Sequence, residues 1–221
     1  MNITVLMHNM KTHQMERFVL GTREPMPYAN PTLTVGEFRG SSQSQLMWSN
    51  TNVMESWVAF RRLWGEPIYL PFCFRRIAEG GHAAQSQHYA GTAFDVGQNL
   101  TSARRAQMRQ LASGSGLWSY VEPAYLTPRW VHFDRRTNPP ACDAGYPIQR
   151  RGSIGVYTCI LQDCLNIVAG AGLTVDGNFG PRTHEAVERF QANNRLFADG
   201  IVGCTTWRAL TTRAVGSGFR P

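Results

Sequence analysis

Lysine is almost absent from this chain. Of 221 residues only Lys11 is a lysine, while 21 are arginines, and charged residues of all kinds make up 17%. The formal net charge is +7, but the basic residues form no run: 14 fall in residues 1–137 and 8 in residues 138–221, against 9 and 6 acidic ones. A diffuse basic field suits a polyanion or an anionic cell wall, and equally serves solubility. No stretch approaches the ~18 apolar residues of a membrane span. The N-terminus has no basic region ahead of a long apolar core, so as it stands it is not a secretory signal. The five cysteines, Cys73, Cys142, Cys159, Cys164 and Cys204, form no CxxC pair and no zinc-finger spacing. Phosphate-binding, dinucleotide-binding, H-E-x-x-H and G-x-S-x-G signatures are missing. The arginines do not interleave with aromatics as a nucleic-acid module requires, so no nucleic-acid partner is expected.

What remains is a folded chain. Hydrophobic residues make up 43%, enough for one large domain or a medium and a small one. Ile3, Val5 and Met7 alternate as in a strand. Residues 52–64 read as a helix with Asn52 as its cap and Gly65 as its stop. Ile68–Phe74 reads as a strand, as do Thr92–Val96, Trp118–Val121 and Trp130–Asp134, and residues 102–113 read as a second helix. The stretch from Thr137 to Pro147 holds three prolines and no periodicity, which marks a linker. Beyond it, Asp176–Val187 and Asp199–Leu210 share the pattern D-G-x-x-G-x-x-T-x-x-A-apolar at an offset of 23 residues. Each copy reads as a turn feeding a helix. Asp-Gly supplies the positive-φ turn, the second glycine is expected to allow close approach, and the threonine lies near the helix start. A third helix, Gly155–Val168, precedes them.

Chemistry concentrates in Ser86-Gln-His88-Tyr-Ala-Gly91-Thr-Ala93-Phe-Asp95 and in Trp130-Val-His132-Phe-Asp134. On strands, Asp95 shares a face with Ala93, and His132 shares one with Trp130 and Asp134. Two strands and the loop before them can therefore bring His88, Asp95 and His132 to one point. Two imidazoles and a carboxylate suit Zn²⁺, and three protein ligands leave a position open for catalysis.

Ser86, His88, Gly91, Ala93 and Asp95 meet every fixed position of the S-x-H-x-x-G-x-A-x-D motif, and residues 33–136 resemble the VanY-type zinc D-Ala-D-Ala carboxypeptidases and their hedgehog-like endopeptidase relatives. Leu161-Gln162, Val175-Asp176-Gly177, Phe190-Gln191, Asp199-Gly200 and Thr206-Trp207 lie in a segment that resembles the peptidoglycan-binding type 1 family over residues 150–212. Together these resemblances imply an α+β chain. An antiparallel-sheet zinc peptidase domain with flanking helices spans residues 1–137, a proline-rich linker 138–149, and a small three-helix peptidoglycan-binding domain 150–215. They imply Zn²⁺ on His88, Asp95 and His132, an arginine at Arg75 that holds a substrate carboxylate or the developing oxyanion, Ser86 bonded to a ligand or to substrate, and a wall-binding groove near Asp176, Asp199 and Trp207. Arg76 is adjacent, and strand alternation would let only one of the two arginines face the site. His82 reads as a loop residue and not as a fourth ligand.

Many relatives place the general base three residues before the last histidine, where this chain has Arg129. Glu122 is the favoured substitute and Asp134 the other, with Asp134 alternatively orienting a ligand. The implied activity is hydrolysis of a peptide bond in the peptidoglycan stem, by a carboxypeptidase or an endopeptidase, at the cell wall or outside the cell. Phage lysin, non-classical export and a truncated chain all fit that setting. The alternatives are a catalytically inactive wall-binding protein and, more weakly, a basic polyanion binder.

Overall fold

The computed structural model describes residues 2–141 and 145–218. Cys142 and the two residues after it, within the proline-rich stretch, lie outside the described residues. Strands β1 (Asn2–Asn9) and β2 (Gln14–Gly21) form an antiparallel hairpin, and Ile3, Val5 and Met7 are fully buried on one face of β1. Strand β3 (Leu46–Asn50) lies parallel to β1 on its other side. The first sheet is therefore mixed and not antiparallel throughout. A parallel neighbour needs a long crossover, and residues 22–45 supply it, including the short helix α1 (Val35–Arg39) with its Thr34/Glu37 capping box.

The cap of helix α2 (Thr51–Trp64) lies two residues earlier than expected. Asn50 is still extended at the end of β3, and its side chain accepts from the Val53 amide. Gly65 ends the helix in the left-handed conformation, as expected. Ile68–Phe74 is not a strand. Pro71 interrupts it, and it meets β4 where the Asp95 amide donates to the Phe72 carbonyl and the Cys73 thiol to the Ala93 carbonyl. The second sheet is antiparallel, in the order β4 (Ala93–Val96), β6 (Val131–Asp134), β5 (Tyr120–Val121), with α4 (Ser102–Gly114) between β4 and β5 in sequence. Phe94 stacks on Trp57 at 4.6 Å and Phe133 on Trp118 at 4.3 Å, which fixes which face of this sheet is core.

Helices α5 (Val156–Ala169), α6 (Pro181–Asn193) and α7 (Cys204–Ala214) form the C-terminal unit. Its repeat has a specific cause. The Gln162 side-chain amide donates to Asp176 Oδ1, Asn178 O and Thr183 Oγ1, and its oxygen accepts from the Asp176 and Gly177 amides. Gln191 does the same with Asp199 Oδ1, Ile201 O, Thr206 Oγ1 and the Gly200 amide. The repeated Asp, Gly and Thr are thus partners of a buried glutamine, one per copy. Gly177 and Gly200 have φ of 74° and 70°, as the turn requires. The second glycine of each copy does not serve close approach. Gly180 and Gly203 are helix N-caps with open space where a Cβ would stand.

The two units share one continuous apolar core. Tyr146 is fully buried against Trp207 and donates to the Ser86 carbonyl, while Tyr157 donates to Gln87 Oε1. The tail after α7 pairs with the 3-10 turn Ile77–Glu79: the Gly216 amide donates to Ile77 O and the Gly218 amide to Ala78 O. Arg76 forms a bidentate pair with Asp163 of α5, with Nε to Oδ2 at 2.7 Å and the second contact to Oδ1. The side chains are 14% and 2% exposed. Removing Asp163 takes the bidentate carboxylate from a largely buried guanidinium. Asp163→Ala is expected to cost about 3–5 kcal/mol in denaturant unfolding, with the Arg76→Met/Asp163→Leu double variant losing less. A single-variant loss below about 1 kcal/mol, the scale of a surface pair, would contradict this assignment.

Candidate active site

The register of the second sheet builds the site. In the β4–β6 ladder Asp95 stands directly opposite His132, and Ala93 opposite Asp134. The neighbours Phe94, Val96, Val131 and Phe133 are fully buried on the other face, so Asp95 and His132 must share the face that opens away from the core. His88 comes from α3 (Gln87–Ala90), a single turn whose start is capped by Ser86 and whose end is Gly91 at φ 65°. A Cβ on Gly91 would stand 1.9 Å from the Trp48 carbonyl oxygen. The spacing of Ser86, His88 and Gly91 is therefore a cap, a turn that carries His88 and an obligatory glycine stop.

Three side chains meet on one oxygen. His132 Nδ1 lies 2.7 Å from Asp95 Oδ1, and His88 Nε2 lies 3.3 Å from the same atom. His88 Nδ1 is 2.7 Å from the Cys73 carbonyl, an acceptor, so that nitrogen carries the proton. Nε2 then presents a lone pair. It is buried, makes no hydrogen bond, and faces a carboxylate oxygen. Two lone-pair donors facing each other out of water repel unless a cation joins them. The donor set, two imidazole nitrogens and a carboxylate oxygen, fits zinc.

The electrostatics follow from the same contacts. Burial alone would raise the Asp95 pKa, but the hydrogen bond with His132 and the charge of the two imidazoles hold it well below the ordinary carboxylate range. Burial would lower His132, but Asp134 and Asp95 outweigh it and lift it to about 9. Asp134 is fully buried. It takes two bonds from the Arg136 guanidinium and one from the Arg136 amide, and its Oδ2 lies 3.2 Å from His132 Nε2. Both its oxygens are occupied, and it orients His132 from behind.

The cleft over this cluster has a volume of about 770 Å³ and is walled by Ser86, Glu122, Trp130, Arg136, His82 and, from α7, Arg208. Glu122 is half-buried, and its amide donates to the His132 carbonyl. Arg109 of α4 secures the loop that follows, donating to the carbonyls of Glu122, Thr127 and Trp130. Arg129, at the position where many relatives carry the base, is exposed and outside the cleft wall.

Arg75 does not wall the cleft. Its guanidinium donates to Ser41 Oγ and to the Gly80 carbonyl, behind the loop that carries His82. With residues 68–74 irregular, strand alternation does not decide which arginine faces the site. Arg75 turns to this loop and Arg76 to Asp163.

His82 lies on a loop, as expected, and the loop brings it against the cluster. Its ring stacks on His88 at 4.2 Å between centroids, and His82, His88 and Asp95 each offer a ligand atom within 4.8 Å of the others. Burial first, then the neighbouring His88, push its pKa down to about 3. Gly80 and Gly81 just before it are a weak sequence signal. Arg109 and Arg136 also escaped sequence reasoning, because arginines spread through a basic chain carry no pattern.

In the C-terminal unit, Trp207 is fully buried and donates to the Pro147 carbonyl, and Asp176 and Asp199 each bond a glutamine. Trp207 is thus a core residue and no groove wall. A smaller cleft of about 230 Å³ lies beside Gln162, Asp176 and Arg182.

Residues 158–210 match the model of the putative peptidoglycan binding domain. The chain is 39% identical over 79 residues to an uncharacterized protein from the bpoA1 3′ region of Kitasatospora aureofaciens, covering 34% of this chain and 67% of that protein. It is 51% identical over 41 residues to a zinc D-Ala-D-Ala carboxypeptidase of Streptomyces albus G. That match covers 19% of this chain and 16% of the carboxypeptidase. Among solved structures it is similar to a peptidoglycan-binding protein from Clostridioides difficile in complex with glutamine hydroxamate, at 32% identity and a TM-score of 0.30, covering 33% of this chain and 45% of that one. Residues 158–210 thus carry the match to the putative peptidoglycan binding domain family.

Proposed function

We propose that this protein is a zinc-dependent peptidase that hydrolyses a peptide bond of the peptidoglycan stem. In this reading residues 1–137 carry the chemistry and residues 150–215 hold the chain on the wall. The observation that carries it is the buried, unbonded His88 Nε2 facing the Asp95 oxygen that His132 Nδ1 also reaches, at the floor of an open cleft. The family match of residues 158–210 supports peptidoglycan as partner and cell-wall association. The partial likeness to a zinc carboxypeptidase supports the metal.

His88 Nε2, Asp95 Oδ1 and His132 Nδ1 would hold the ion. Zinc at such a site polarises a carbonyl and makes a water acidic near neutral pH. The residues of the chain do the rest. Glu122, on the cleft wall, takes the proton from the attacking water and returns it to the leaving amine. Asp134 fixes the ring of His132, and Arg136 neutralises Asp134 where it is buried. Ser86 caps α3 and so keeps His88 in place. Attachment to insoluble wall by the C-terminal unit raises the local concentration of stem peptide around the cleft.

Glu122→Gln is expected to retain zinc and to lose roughly 10²–10⁴-fold in turnover of soluble stem peptides, read by mass spectrometry of the products. Loss of one terminal alanine identifies a carboxypeptidase, and cleavage inside the stem an endopeptidase. Full activity of Glu122→Gln would overturn its role. Zinc at 100 times its dissociation constant should stabilise the fold by about 2.7 kcal/mol, and His88→Ala should abolish that gain. An equal gain in the variant places the metal elsewhere. Arg129, at the usual base position, favours a second reading, a wall-binding protein without catalysis. The absence of product from any wall type, with zinc bound, would establish it.

A further inference from the structure

We propose that His82 is a fourth ligand of the metal centre, carried on a loop and closing the site from its cleft side. This rests on the zinc reading above. His82 offers a nitrogen within 4.8 Å of ligand atoms of His88 and Asp95, and its ring lies against His88 at 4.2 Å. Its placement is held from several directions. The Tyr89 hydroxyl accepts from the His82 amide at 3.1 Å and donates to the His82 carbonyl at 3.0 Å. Tyr89 is itself fully buried, one residue from His88, so the turn that carries His88 also ties the backbone of His82.

The approach to His82 is built for close passage. Gly81 has φ 90°, and a Cβ there would stand 2.8 Å from the Arg75 guanidinium. Arg75 in turn donates to the Gly80 carbonyl. Gly80 lies against Gly216, in the tail that pairs with residues 77 and 78. The C-terminal unit thus buttresses the loop that carries this ligand. Three protein ligands leave a catalytic zinc open, and four close it. His82 must therefore leave, or the shell must expand, before a substrate carbonyl reaches the metal. Its half-buried place on a loop in the cleft wall suits a ligand that can leave, in contrast to the buried His88 and Asp95.

The test is metal binding itself. Zinc affinity is measured by competition with a chromophoric chelator, and Co²⁺ is used as a spectroscopic probe, in the full chain and in His82→Ala, His82→Phe and His88→Ala. His82→Phe keeps a ring stacked on His88 but removes the nitrogen. Both His82 variants should bind one metal per chain, roughly tenfold to a hundredfold more weakly, with the Co²⁺ visible bands shifted and weakened. A His82→Phe protein with unchanged affinity and unchanged spectrum would overturn the proposal and leave His82 a packing residue. Failure of the unaltered chain to bind metal any better than His88→Ala would overturn the zinc reading together with it.

Discussion

The Asp95 carboxylate is the point on which this structure turns. A single oxygen lies within 2.7 Å of one imidazole nitrogen and 3.3 Å of another. Shielded from bulk water at the floor of the cleft, that crowding is stable only with positive charge shared among the three. The β4–β6 register imposes it. A slip of one residue would send His132 into the core and Phe133 into the cleft. The aromatic packing of Phe94, Phe133, Trp57 and Trp118 is therefore what keeps the polar cluster together.

Around this point the chain spends arginines as structural ties. Arg136 saturates Asp134, Arg109 gathers three carbonyls around the loop after Glu122, Arg75 braces the His82 loop, and Arg76 joins the two units through Asp163. A guanidinium can satisfy several acceptors at fixed angles where an ammonium cannot, which gives a physical use for a chain with 21 arginines and one lysine. The proline-rich stretch belongs to the same economy of contacts. Tyr146 passes through it into the core, between Ser86 and Trp207.

Much of the fold was legible because periodicity and spacing act locally. The α2 stop at Gly65, the burial of Val131 and Phe133, and the positive-φ Asp-Gly turns all follow from side-chain alternation or backbone sterics. The meeting of Asp95, His88 and His132 was legible because a motif encodes a register. Long-range pairing was not. No local signal shows that β3 runs parallel to β1, that Asn50 and not Asn52 caps α2, or that Arg75 turns away from the cleft. The reach of His82 was illegible for the same reason. It depends on Tyr89 folding back onto the loop, and a sequence does not display which backbone a phenol will bond.

The central claim is that one metal ion sits on Asp95 Oδ1 between His88 and His132. Zinc-edge X-ray absorption on the full chain, loaded with one equivalent and dialysed, tests it most directly. The account predicts one zinc retained per chain, with imidazole nitrogen and carboxylate oxygen scattering and no sulfur, and loss of that zinc in Asp95→Ala. Sulfur scattering, or zinc retained unchanged in Asp95→Ala, would contradict it.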